Sequence, residues 1–197
     1  MRFVRTVALA GVLTCVGVPT ASAGHPQERQ GFWIGLGFGY GWADASCSLC
    51  DEADGEGAST GLLRLGWALN QKVLLGGEFD FWWKERSEDT LFLYDAVLTV
   101  TFYPRETSGF FVRGGIGGSG ADTGARIGNT TVTTELGSGL GLLAGAGYDI
   151  RVGRKISITP ALTYWTGRSM DLRFENTTAT EEWHHDVVDI TVAVTFH

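Results

Sequence analysis

The sequence predicts an all-β fold: an eight-stranded, antiparallel, up-and-down transmembrane β-barrel preceded by a cleaved signal peptide. Three observations carry this. The stretch Phe32–Trp42 alternates bulk and nothing: Phe32, Ile34, Leu36, Phe38, Tyr40 and Trp42 fall on one face, and Gly35, Gly37, Gly39 and Gly41 on the other. A period of two defines a strand, and eleven residues match the roughly 9–11 tilted residues that cross a bilayer. Beyond the N-terminus no apolar block reaches the ~18 residues a membrane helix needs; alternation recurs instead. The connections between alternating stretches run long, short, long, short, long, short, long.

The elements follow in order. Gly24–Gln30 is a short polar lead-in to the first strand, and Asp44–Ser59 is an acidic, glycine-containing loop. The second strand, about Thr60–Leu69, sets Leu63, Leu65, Trp67 and Leu69 against Arg64, Gly66 and Ala68. Asn70-Gln71-Lys72 is a tight turn. In the third strand, Val73–Trp83, the apolar Val73, Leu75, Phe79, Phe81 and Trp83 oppose Gly76, Glu78, Asp80 and Trp82. Lys84–Thr90 is a charged loop. The fourth strand, Leu91–Tyr103, turns Phe92, Tyr94, Leu98, Val100 and Phe102 away from Asp95, Val97, Thr99 and Thr101. After the turn Pro104–Ser108, the fifth strand places Phe110, Val112 and Ile116 outside and Phe111, Arg113, Gly115 and Gly117 inside. Gly118–Thr133 reads as a polar, glycine-rich loop or a frayed extension. The sixth strand covers about Thr134–Ile150, with Leu140, Leu142, Tyr148 and Ile150 opposite a row of glycines. A turn at Arg151–Arg154 leads to the seventh strand, Lys155–Gly167, where Pro160 argues for a weak hydrogen-bonding point. Arg168–Trp183 is the last long loop. The eighth strand, His185–Phe196, alternates Val188, Ile190, Val192, Val194 and Phe196 with Asp189, Thr191, Ala193 and Thr195.

The ends and the composition narrow the compartment. Arg2 and Arg5, an apolar core at Val7–Val18 and Ala21-Ser22-Ala23 read as a secretory signal cleaved between Ala23 and Gly24. The expected organisation is therefore a signal peptide over 1–23, a periplasmic lead-in over 24–30 and a barrel over 31–197. The formal charge of -7 becomes -9 once Arg2 and Arg5 are removed, which argues against nucleic acid as a partner. Lysine is confined to Lys72, Lys84 and Lys155, all in or beside turns and loops, unlike the wetted face of a soluble β-protein. An open sheet in lipid would leave unpaired N–H and C=O groups, each costing several kcal/mol, so the sheet must close. An even strand count with short turns on one side and long loops on the other is the bacterial outer-membrane arrangement. Aromatics near the strand ends suggest two interfacial girdles: Trp42, Trp83, Phe92, Tyr94, Tyr164 and Trp183 outside, and Phe32, Trp33, Trp67, Phe102, Phe110, Tyr148 and Phe196 inside.

On these features, and on the ending Val192-Ala193-Val194-Thr195-Phe196, the chain resembles the small bacterial outer-membrane β-barrel family of the OmpA/OmpX type. The resemblance spans Phe32–Phe196. It implies residence in the bacterial outer membrane, surrounded by lipid and lipopolysaccharide. It implies a C-terminal assembly signal at Phe196 read by the barrel-assembly machinery, with His197 following as a departure. It implies no single shared activity.

Candidate sites lie in the lumen and the loops. Arg64, Glu78, Asp80, Asp95, Arg113 and Asp189 share the inward face, and the turn at Asn70–Lys72 sets Arg64 about opposite Glu78. An eight-stranded interior is just filled by side chains, so these charges must be paired or wetted. A structural polar network, a polar plug and an ion path are the readings open to them. Cys47 and Cys50 form a Cys-x-x-Cys in the first loop. With no second ligand pair for a metal and no βαβ context for a redox site, a loop disulfide is the candidate. The acids Asp44, Asp51, Glu52, Asp54 and Glu56 read as a solvated loop, with loose Ca²⁺ or Mg²⁺ binding as the alternative. Gly115–Gly120 matches G-x-G-x-x-G without the following helix a dinucleotide needs. His184 and His185, with Ser169, Glu181, Glu182 and Asp186 as companions, show no specific nucleophile arrangement. The expectation is a monomeric, non-catalytic barrel without cofactor or metal, whose long loops serve envelope structure or surface interaction. A lipid A-modifying enzyme and a narrow passive channel are the alternatives.

Overall fold

The computed structural model describes residues 26–47, 53–85, 89–127, 130–169 and 183–197. Residues 1–25 lie outside this set, and with them the signal and its cleavage point at Ala23 and Gly24; so does Cys50, while Cys47 closes the first strand. The strands are β1 (Gly31–Cys47), β2 (Ala53–Ala68), β3 (Val73–Glu85), β4 (Asp89–Phe102), β5 (Phe110–Ile127), β6 (Thr130–Tyr148), β7 (Ile150–Arg151), β8 (Ile156–Ser169) and β9 (Trp183–Phe196). Neighbours pair antiparallel from β6 round through β1 to β9 and β8, and β6 pairs with β8 to close the ring. β6 and β7 form one stave. Gly147 faces Ala161 and Ile150 faces Ile158 on one continuous register. That register sets Tyr148 against Pro160, which has no N–H to donate, and the ladder lapses there. The barrel is thus an eight-stave, closed, all-β structure, with every backbone edge paired as lipid requires.

The bulky alternating face looks outward. Phe32, Leu36, Phe38, Ile190 and Val192 are about half exposed, and Leu98 is 75% exposed. On a water-soluble protein such a continuous apolar belt would be a severe aggregation liability; around a barrel it is the lipid-facing surface. The inward face is small where staves crowd. A Cβ on Gly39, Gly66 or Gly117 would strike the neighbouring stave's backbone carbonyl, so only glycine permits that approach. Two outward rings occupy the space a side chain would take on a neighbouring stave's glycine: Phe81 at Gly61 and Tyr94 at Gly120. Phe79, Phe81, Trp83, Phe92 and Tyr94 continue this as a ladder of rings with centroids 5.6–6.1 Å apart.

Five expectations change. Asp44–Ser59 is largely strand and not loop, since β1 runs to Cys47 and β2 starts at Ala53. The segment Gly118–Thr133 is mostly not loop: β5 runs to Ile127 and β6 starts at Thr130, with a register shift at Ala121/Asp122. Eighteen residues of β5 extend roughly 60 Å, well beyond a ~25 Å apolar band even when tilted, so this hairpin projects past the apolar belt at the long-loop end. Trp183 and Trp33 leave the proposed girdles. Both are buried on the inner face, because each shares the parity of the inward residues of its strand. His185, expected at the rim, is also fully buried in the lumen.

The three short connections and both described chain ends share one end of the barrel. Asn70 Oδ1 accepts the N–H groups of Lys72 and Val73 at 2.8 and 2.9 Å, an Asx turn that sets the β2–β3 register.

Candidate functional site: the filled lumen

Three layers fill the interior. Toward the long-loop end, Trp82, Trp165, Trp183, Leu93 and Val187 form an apolar cluster. Two of its indoles are anchored: Trp82 Nε1 donates to the Gly41 carbonyl at 3.1 Å and Trp165 Nε1 to Asp189 Oδ2 at 2.9 Å. His185 lies against Trp165 and Trp183 with ring centroids 5.1 and 5.0 Å away.

The middle layer is acid-rich. Glu78, Asp80, Asp95 and Asp189 are all buried there. Arg113 Nη2 pairs with Glu78 Oε1 at 2.9 Å and donates to Thr163 Oγ1 at 2.8 Å. Arg64 does face Glu78 across the β2–β3 ladder, yet its Nη2 donates to Thr195 Oγ1 at 2.8 Å instead. Its guanidinium lies 5.8 and 5.6 Å from the rings of Trp33 and Phe111. Asp80 and Asp95 are direct cross-strand partners. Asp95 Oδ1 accepts from Ser119 Oγ at 2.5 Å and lies 3.2 Å from His185 Nε2.

The third layer seals the short-turn end. Asp149 accepts from Tyr103 Oη and Thr159 Oγ1, each at 2.7 Å, and His197 Nε2 stands 3.9 Å away. Burial, and next the charge of Asp149, raises the ionisation of the Tyr103 phenol well above its usual range, so it stays a donor. Burial also lowers the His197 imidazole to about 4; Asp149 opposes this, while Arg151, Arg29 and Arg64 reinforce it. The lead-in then crosses the opening. Arg29 stacks on Tyr103 with its guanidinium 3.5 Å from the ring centre. It donates to the carbonyls of Gln71, Glu106 and Ser108 at 3.2, 3.2 and 2.7 Å. Arg151 Nη2 holds the Glu28 carbonyl at 2.6 Å, and Gln27 Nε2 the Asp149 carbonyl at 3.0 Å.

All six lumen candidates therefore point inward and are buried, five of them gathered in the middle layer, while Arg64 reaches toward the sealed end. Sequence reasoning did not place Arg29, Tyr103, Asp149, Arg151, His185 or His197 in the lumen. For five of these the signal was the strand parity itself: Tyr103 is in phase with Asp95 and Thr101, Asp149 and Arg151 with Gly147, and His185 and His197 with Asp189. Arg29 precedes any strand, so no periodicity points to it.

Two serine–histidine contacts bear on hydrolytic chemistry, and neither has relay geometry. In the lumen, Ser119 Oγ and Asp95 Oδ1 both approach the same nitrogen, His185 Nε2, at 3.4 and 3.2 Å. A relay needs the acid and the hydroxyl on opposite ring nitrogens. At the outer rim, Ser46 Oγ lies 3.0 Å from His184 Nδ1 and 3.4 Å from Nε2, between the two nitrogens rather than along one lone pair. Among the described residues no group of three or more His, Cys, Asp or Glu side chains is placed to hold a metal ion.

No protein-family model matches the chain, and no curated protein is significantly similar in sequence. Solved structures do share its architecture. The crystal structure of Neisserial surface protein A superposes with a TM-score of 0.55 at 14% identity, covering 86% of this chain and 98% of that one. Ail, the attachment invasion locus protein of Yersinia pestis, superposes with a TM-score of 0.51 at 13% identity, covering 85% and 99%. The fold is that of the small eight-stranded outer-membrane barrels.

Proposed function

We propose that this chain is a monomeric, non-catalytic outer-membrane barrel whose surface-projecting hairpins and loops carry its role, in envelope structure or in contact with a surface ligand. The observation that carries this reading is the division of labour along the axis. The lumen is crossed by successive layers of indoles, ion pairs and the Arg29 seal, whereas β5 and β6 extend past the membrane. A filled interior disfavours transport, and the serine–histidine geometries disfavour hydrolysis. The two similar structures are named for surface location and for attachment and invasion, which agrees with a surface role. Lipid and lipopolysaccharide would surround the belt, and the barrel-assembly machinery would read the last strand through Phe196.

Protease added to intact cells is expected to cut the long connections and spare the three short turns, while the refolded protein shows no conductance steps in planar bilayers. Steady steps would establish the channel instead. Loss of lipid A acyl chains on incubation with the purified barrel would establish the enzyme.

A further inference from the structure

The short-turn end of the lumen buries more guanidinium groups than carboxylates. Arg29, Arg64 and Arg151 are all at least nine-tenths buried. Among the described residues, the ion pairs leave all three without a carboxylate partner. The one acid among them, Asp149, already has both oxygens engaged by Tyr103 and Thr159. A single hydrogen-bonded chain links the cluster: Arg64 to Thr195, Thr195 to Thr159, Thr159 to Asp149, Asp149 to Tyr103, with Arg29 stacked on that ring. Several donors are left over. Nε and Nη1 of Arg151, Nε of Arg29 and Nε of Arg64 are buried without an acceptor. Water could satisfy those N–H groups; a small anion would satisfy them and also offset the local excess of guanidinium charge.

We propose that these guanidinium groups bind a small inorganic anion, of the chloride or phosphate class, held by Arg151, Arg29 and Arg64. The strap Pro26–Gln30 covers the site, so the ligand must be small and free rather than a lipid headgroup. Arginine suits the task because its guanidinium stays charged and presents donors in several directions at once. His197 reports on the site. It faces Asp149, Arg151 of β7, Arg29 of the lead-in and Arg64 of β2, and an anion placed among these raises its titration midpoint.

The test uses the full-length chain refolded in detergent micelles. His197 is titrated by NMR in sodium chloride, sodium phosphate and sodium gluconate at equal ionic strength, gluconate being too large to enter. The midpoint should lie higher by about a unit in chloride or phosphate, with a saturable dependence on anion concentration. Arg151→Gln should abolish the saturable part while heat-modifiable migration shows the barrel intact. Equal midpoints in all three salts overturn the proposal, as does a shift that never saturates. If Arg151→Gln does not fold, Arg64→Met takes its place, and the wild-type comparison among salts is already decisive.

Discussion

The middle of the lumen and its short-turn end are built from the same residue types in opposite proportion. The middle layer sets four carboxylates, Glu78, Asp80, Asp95 and Asp189, against Arg113 and His185. The short-turn end sets Arg29, Arg64 and Arg151 against Asp149 alone. Each excess is buried, so neither is screened by bulk solvent. The lesson is that one barrel lumen can hold opposite excesses of charge at two levels. A single guanidinium in the acid layer is held tightly because everything around it needs it. In the basic layer each guanidinium is one of several, and backbone carbonyls and aromatic faces share the work.

This contrast makes substitutions in the two layers unequal. Replacing Arg113 with Met strands Glu78, whose ion pair at 2.9 Å is wholly buried, and should cost about 3–5 kcal/mol in urea unfolding from micelles. Arg64→Met, with similar volume and no carboxylate lost, should cost no more than about 1–2 kcal/mol, the worth of its hydrogen bond to Thr195. Equal losses would show that the two layers hold their arginines alike.

A pH titration sharpens it at the basic end. The folded His197 titrates near 4, below its ordinary value of about 6.5. The folded state therefore resists taking up a proton that the unfolded chain accepts. Stability is unaffected above pH 6.5, falls as pH drops from about 6.5 to 4, and levels off below, for a total of roughly 3 kcal/mol. The loss should be visible in phosphate-free buffer as the difference between wild type and His197→Gln. A flat difference across that window would show that the imidazole is not enclosed by the arginines.

An effect of the same small size as that of Arg64→Met concerns the anchor of the seal. Tyr103→Phe removes the 2.7 Å hydrogen bond to Asp149 and keeps the ring under Arg29. About 1–2 kcal/mol should be lost from unfolding, because a buried carboxylate oxygen is left without its donor. A larger loss would mean that the phenol, and not the stacked arginine, holds the strap.

How far each feature was legible follows from what encodes it. Parity placed Arg64, Glu78, Asp80, Asp95, Arg113 and Asp189 inside without coordinates, and the turn at Asn70–Lys72 set Arg64 across from Glu78. Parity could not say that Glu78 would choose Arg113, two staves away, because a long arginine in a closed ring reaches across the axis as readily as along the ladder. Trp33 and Trp183 were misplaced when the preference of aromatics for interfaces was allowed to outrank their own alternation. The β5–β6 hairpin was obscured by glycine and threonine, which look like loop where bulk does not mark one face.

The alternation of bulk with glycine and polar residues, and the even rhythm of short and long connections, are enough to specify a closed eight-stave membrane barrel, since lipid tolerates neither an open sheet edge nor an inverted face. Which charges meet at the axis, and that Arg29 folds back to stopper one end, depend on closure of the ring. Closure brings residues more than a hundred positions apart to within hydrogen-bonding distance, and no local period records that.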